Sequence, residues 1–110
     1  MTSVPEKDWK VLSGLKANLL NSACESIFQR VEHILSTRQG QEHASYLELW
    51  KLIQHDDKAI AEMFDDVTRS KAIYKIIALR QHGILTDAQL ALFSQQTQDA
   101  VAKFCTYRSS

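Results

Sequence analysis

The scarcity of glycine and proline constrains the fold of this chain more than any other feature of its sequence. Three glycines and one proline occur in 110 residues. Sheet proteins need many tight turns, which draw heavily on these two residue types. Apolar residues instead recur at steps of three and four, the spacing of one face of an α-helix. The sequence therefore predicts an all-α fold, a small orthogonal or up-down bundle of four to six helices.

Length and composition predict a single helical domain over residues 1–110. The length is close to the common domain size, and contents of 45% apolar and 24% charged residues are ordinary for a globular protein. The sequence shows neither an apolar run long enough to span a membrane nor a secretory signal. Its two isolated cysteines, Cys24 and Cys105, are typical of buried thiols in a reducing compartment. We therefore expect a cytoplasmic protein.

The longest apolar stripe predicts a helix from about Glu6 to Thr37. Ser3 and Glu6 have the spacing of a capping box at its start, and Ser22 with Glu25 repeats that spacing further along. Two alternatives are therefore open. The segment forms either one helix about 45 Å long, at ~1.5 Å per residue, or two helices with a joint near residue 21. The members of the stripe are Leu12, Leu15, Leu19, Ala23, Ile27, Val31 and Ile34, widened by Leu20, Cys24, Phe28 and Leu35.

Capping and turn signals divide the rest of the chain into shorter helices. Asp56 and Asp57 suit the start of a helix because carboxylates favour its positive dipole end. Thr86 with Gln89 forms the clearest capping box of the chain. The first two of the predicted helices run from Tyr46 to about His55, opened by Ser45 and Glu48, and from Asp56 to a break near residues 65–67. A central apolar helix follows over Ala72–Leu79 and is ended by Gly83. The last predicted helix begins at Thr86 and has a second candidate cap at Ser94.

The length of the first apolar stripe predicts a protein interface. One continuous helix would carry more apolar surface than so small a body covers, and excess apolar surface usually marks an interaction site. We therefore predict a homodimer, or docking to a larger protein, through the N-terminal helix and the neighbouring Trp50. The expected outer contacts on that helix are Trp9, Leu12, Leu15 and Leu19.

Acidic residues crowd one stretch of the chain beside His55. They are Asp56, Asp57, Glu62, Asp65 and Asp66. Carboxylates and imidazoles are common metal ligands, but the helical spacings that metal sites use, ExxH and HExxH, do not occur here. We therefore predict no metal and no cofactor. On a protein of the immunity or antidote type, this acidic stretch would cover the basic active site of a partner by charge complementarity.

A basic stretch follows directly and supports an alternative function. Arg69, Lys71, Lys75 and Arg80 precede a turn and a further helix, the order of a helix-turn-helix regulator that rests on phosphates. Two features argue against nucleic acid as the partner. The formal net charge is zero, whereas phosphate contacts need a basic excess, and Asp87 at the start of the second helix would repel phosphate.

The sequence offers no recognised catalytic arrangement. No GxSxG elbow and no glycine-rich phosphate loop occurs, and Cys24 lies in an apolar stripe with no histidine at helical spacing. The passage from Gly83 to Leu90 is similar to helical hairpins of many short bacterial proteins, but it reports local capping rather than a family. We therefore predict a small non-catalytic interaction or regulatory module, not an enzyme.

Overall fold

The protein is all-α in a computed structural model that describes the backbone of residues 4–109 and the side chains of residues 4–105. Within that part, five α-helices and no strand confirm the predicted all-α bundle of four to six helices. The predicted capping residue Ser3 lies outside the described residues. The helices are α1 (Glu6–Ser36), α2 (Glu42–Phe64), α3 (Ala72–Gln81), α4 (Asp87–Leu90) and α5 (Gln95–Ser109), with a 3-10 turn at Arg69–Lys71 before α3.

Helix α1 is continuous, which decides between the two alternatives for the first segment. Its 31 residues correspond to about 46 Å at ~1.5 Å per residue, most of the 53 Å long dimension of the molecule. The predicted joint near residue 21 is absent because the apolar stripe continues through it. The helix ends where the Thr37 N–H donates to the carbonyls of His33 and Ile34. A turn with Gly40 at a φ of 83° then leads into α2.

Helix α2 is also continuous, so the prediction of two helices divided at Asp56 is wrong. The carboxylate of Asp56 does not cap a helix but forms an ion pair with Arg30 of α1. The predicted start at Ser45 is wrong as well, since the helix begins at Glu42. The predicted break near residues 65–67 is confirmed. Asp65 has an extended ψ of 144°, and Asp66 adopts a left-handed φ of 53°.

The core of the molecule is built around α3. Six residues of this helix are buried, which confirms the prediction of a central apolar helix. Helices α1, α2 and α5 pack against it. The other large buried side chains include Leu12 and Leu19 from the N-terminal half of α1, Phe93 before α5, and Val101 within α5. The compact body therefore lies at one end of the long helices.

The other end of α1 and α2 forms an antiparallel hairpin, residues 24–58, which we call the arm. Only Ile34, Ser45 and Asp56 of the arm are buried. The radius of gyration of 16.4 Å exceeds the value of about 13 Å for a compact chain of this size. The extents of 53 × 31 × 23 Å reflect the same elongation. The arm is thus a two-helix projection that has little core of its own.

The turn between α3 and α4 follows the predicted capping chemistry. Thr86 accepts a hydrogen bond from the Gln89 N–H at 3.1 Å, and the Gln89 side chain accepts one from the Thr86 N–H at 2.9 Å. The predicted capping box is therefore confirmed. Gly83 has a φ of 74° just after the end of α3, as its role in ending the helix requires. The predicted cap at Ser94 is also present, since its hydroxyl accepts from the Thr97 N–H at 3.3 Å.

Replacing Thr86 with alanine is expected to lower the free energy of unfolding by about 1 kcal/mol, the usual cost of a lost N-cap. Thr86→Ser keeps the hydroxyl and should stay within about 0.5 kcal/mol of the parent protein. Urea titrations followed by circular dichroism measure both variants. Equal losses in the alanine and serine variants would show that the methyl group, and not the cap, is responsible.

Candidate functional site

The predicted contacts on the N-terminal part of α1 mostly face the core. Leu12 and Leu19 are 2% and 0% exposed, so their prediction as outer contacts is wrong. The reason is that the body packs on this half of α1 and covers its apolar stripe. Trp9 and Leu15 are half-buried against the same core. Trp50, in the arm, is 54% exposed and is the one large apolar side chain of the predicted set that is open to a partner.

The residues of the predicted acidic stretch differ in their burial and in their partners. Asp56 is buried and interacts with Arg30 and with His55 Nδ1, which lies 3.0 Å from its Oδ1. Glu62 Oε2 lies 3.0 Å from His82 Nε2. Asp66 pairs with Lys71 on the chain that leads into α3, while Asp57 and Asp65 are exposed. Burial removes Asp56 from any acidic surface, whereas the other four carboxylates of the stretch are exposed.

The predicted basic stretch is held by contacts within the chain. Arg69 donates to the Val4 carbonyl at 3.3 Å, and Lys75 donates to the Glu62 carbonyl at 2.7 Å. Arg80 donates to the Leu85 carbonyl at 2.9 Å and pairs with Asp87. In addition, α4 has four residues, a single turn that cannot lie along a groove of DNA as a recognition helix does. The geometry therefore gives the nucleic-acid alternative no support.

Asp8 is a buried carboxylate that the sequence analysis missed. Its Oδ1 accepts from the Ser94 N–H at 2.7 Å, and its Oδ2 accepts from the hydroxyls of Ser94 at 2.6 Å and of Thr97. Burial raises the pKa of the Asp8 carboxyl, but the hydrogen bonds from Ser94 and Thr97 outweigh burial and hold that pKa below its ordinary 3.8. Both oxygens are occupied, so Asp8 ties the first turn of α1 to the start of α5 and is not open to a substrate.

Polar side chains also meet where the arm joins the body. Arg30, His55, Asp56 and His82 line a cleft of about 230 Å³ whose remaining walls are mainly apolar. The Arg30 guanidinium and the Asp56 carboxylate neutralise one another there. A wider groove of about 490 Å³ runs along one side of the arm. The charged and imidazole groups of the cleft are therefore each held by a contact within the chain.

The opposite side of the arm exposes large apolar side chains. Five of them are between 45% and 61% exposed, and a large exposed apolar patch on a folded monomer often marks an interaction site. Three of the five are aromatic, the residue class that most often anchors protein interfaces. The five residues, which we call the arm face, are Phe28 and Leu35 from α1 and Tyr46, Trp50 and Ile53 from α2.

Helical geometry places these five residues on one surface. Tyr46, Trp50 and Ile53 fall within about 60° of one another, and Phe28 and Leu35 within about 20°, at ~100° per residue. The α1 pair and the α2 trio both lie on the side of the α1–α2 contact that is away from the groove. The rim of the groove contains Gln29, His33, Glu48 and Lys51. The arm therefore has one grooved side with polar residues at its rim and one side with exposed large apolar side chains.

The arm face overlaps the predicted interface only at Trp50. Phe28 and Leu35 were visible in the sequence as residues that widen the first apolar stripe, and Tyr46 and Ile53 as apolar residues of the next helix. What periodicity could not show is which half of the stripe the body covers. The signal that would have located the arm face is the stripe's excess width near its C-terminal end.

Further observations limit what the site can be. Within the side chains of residues 4–105, no group of three His, Cys, Asp or Glu residues is placed to hold a metal ion. Among the described helices, none is long and apolar enough to cross a bilayer. Comparison of the chain with known protein families, curated proteins and solved structures finds no match.

Proposed function

We propose that the protein is a small, non-catalytic, cytoplasmic interaction module that binds a protein partner through the arm face. The observation that supports this proposal is the clustering of five half-exposed, large apolar side chains on one side of a two-helix projection. Exposure of such a surface to water is unfavourable, and its burial by a partner lowers the free energy of the system. The arm extends from the body along the long axis of the molecule, so the arm face lies outside the body.

The aromatic residues would act as the binding anchors. Phe28 and Tyr46 are both 61% exposed and lie on different helices of the arm, so that a partner covering both would bridge the hairpin. Trp50 lies one turn from Tyr46 on the same side of α2. Aromatic residues at the centre of an interface typically contribute most of its binding free energy. The charged stretches have no part in this proposal because their side chains mostly have partners within the chain.

The arm face can be tested by photo-cross-linking in the native cell. A benzophenone amino acid placed at position 50 should give one discrete cross-linked species, because the side chain there would lie against the partner. Tyr74 in α3 provides a matched control, since it and Trp50 are both 54% exposed, but Tyr74 is outside the arm. The same probe at position 74 should give no discrete species.

The cross-link at position 50 should also depend on the rest of the arm face. Adding Phe28→Ser to the chain that carries the probe should abolish the cross-linked species, because the partner would contact both helices. Tyr74→Ser should leave it unchanged. The proposed function would be wrong if positions 28, 46 and 50 all gave no cross-linked species, or if position 74 gave the same species as position 50.

A further inference from the structure

Each helix of the arm carries two apolar stripes, although a hairpin needs only one. The inner stripes join α1 to α2, with Ile34 of α1 and Leu52 of α2 lining the same contact. The outer stripes repeat at steps of four and three. They are Cys24, Phe28, Val31 and Leu35 on α1, and Tyr46, Trp50 and Ile53 on α2. Alternating steps of three and four are the seam spacing of helices that pack side by side in coiled coils and bundles.

The second stripe on each helix is what a four-helix bundle requires, because each of its helices contacts two neighbours. We propose that two copies of this chain pair their arm faces around a two-fold axis and form a four-helix bundle. This inference rests on the proposed function and names the partner as a second copy. The two bodies would then lie outside the bundle, both at the end opposite the turns that join α1 to α2.

The size of the arm face fits a stable dimer. At about 200 Å² for each large apolar side chain, the exposed fractions of its five members leave roughly 500 Å² of apolar surface open. A standard interface buries about 800 Å² on each partner, and about 60–65% of that area is apolar, which again gives roughly 500 Å². The arm face therefore supplies the apolar part of one standard interface, with its polar rim in addition.

The shape and charge of the chain favour a second copy over an unrelated partner. A partner that completes a four-helix bundle presents two adjacent antiparallel helices with the same seam spacing, and the arm itself has that arrangement. A two-fold axis parallel to the arm would lay α1 on α2 of the other copy, which makes neighbouring helices antiparallel as in an up-down bundle. The formal net charge of zero means that no long-range repulsion opposes self-association.

Size-exclusion chromatography with light scattering on the full chain tests this inference. Across a dilution series, the mass should stay at twice the 12.5 kDa of one chain down to low micromolar concentration. Trp50→Ser and Phe28→Ser should each raise the dissociation constant at least about 30-fold, as loss of an interface anchor does. Tyr74→Ser should leave it unchanged. Circular dichroism would verify that all three variants keep the parent's helix content.

Two results would overturn the inference. One is a parent chain that is monomeric up to about 100 μM, and the other is an equal effect of Trp50→Ser and Tyr74→Ser on the dissociation constant. A monomeric chain that still cross-links from position 50 to a different protein would reject the second copy and retain the proposed function. A monomeric chain without any cross-linked species from the arm would reject both.

Discussion

Replacing Asp8 with alanine is expected to lower the free energy of unfolding by about 3 kcal/mol. Each hydrogen bond to a buried charged group is worth about 1.5–3 kcal/mol. The desolvation cost of the carboxylate itself offsets part of the sum of these hydrogen bonds. The carboxylate accepts three hydrogen bonds from Ser94 and Thr97, residues at the start of α5. Alanine would leave two hydroxyls and one backbone N–H in this part-buried site without their acceptor. The first turn of α1 would then lose its tie to the last helix.

The same contact predicts how stability depends on pH. The pKa of Asp8 is lowered in the folded state below its ordinary value of 3.8. The ionised group therefore contributes its full stabilisation above pH 3.8, and this contribution is lost as the pH falls from there through the lowered folded-state pKa. Asp8→Asn, which cannot ionise, should remove this part of the acid sensitivity.

Urea titrations between pH 2.5 and pH 7 would measure both effects at one chain concentration. Glu6 provides the control, because it is an exposed acidic residue in the same turn of α1. Glu6→Ala should change the free energy of unfolding by less than about 0.5 kcal/mol. If Asp8→Ala were no more destabilising than Glu6→Ala, or if Asp8→Asn kept the parent's pH dependence below pH 3.8, the assigned role of Asp8 would be wrong.

Asp8 also shows why part of this structure could not be predicted from the sequence. Local signals identified α1, α3 and the start of α4, because apolar periodicity and capping spacing depend on residues a few positions apart. The partners of Asp8 lie 86 and 89 residues further along the chain. In the sequence, Asp8 stands between lysine and tryptophan in a charged first turn, where an exposed carboxylate would look the same.

The division predicted within α2 has the same physical cause. Asp56 and Asp57 satisfy the local rule for a helix start, so the sequence predicts a boundary there. In the structure, Asp56 instead pairs with Arg30 across the hairpin. An aspartate in a helix interior has low helical propensity, but a partner on a neighbouring helix can outweigh that preference. Capping patterns therefore need a tertiary check wherever an apolar stripe continues through them.

The interface prediction placed two of its outer contacts, Leu12 and Leu19, at positions that the body buries. The first apolar stripe is indeed wider than the body can cover, but the body covers its N-terminal half. Leu19 lies in the covered half and Leu35 in the exposed half, although both belong to the same helix and to the same pattern. Apolar periodicity shows on which side of the helix a residue lies. It does not show where the other helices stop.

Replacing Leu19 with alanine should separate these two halves. Leu19 is 0% exposed, and Leu19→Ala should lower the free energy of unfolding by about 3–5 kcal/mol through lost burial and the cavity left behind. Leu35 is 45% exposed, and Leu35→Ala should cost less than about 1 kcal/mol. The denaturant titrations are made at a chain concentration below the dissociation constant of the dimer, because dimerisation would otherwise add to apparent stability and would do so unequally in the two variants.

The same two variants should rank in the opposite order when self-association is measured. Leu35→Ala removes a member of the arm face and should raise the dissociation constant of the dimer, whereas Leu19→Ala, measured where it remains folded, should leave that constant unchanged. If both variants lowered the free energy of unfolding equally, Leu35 would belong to a core. If Leu19→Ala weakened association without lowering stability, the interface would lie on the N-terminal half of α1. The pair therefore assigns folding to one half of α1 and association to the other, with the same isopropyl group removed in each case.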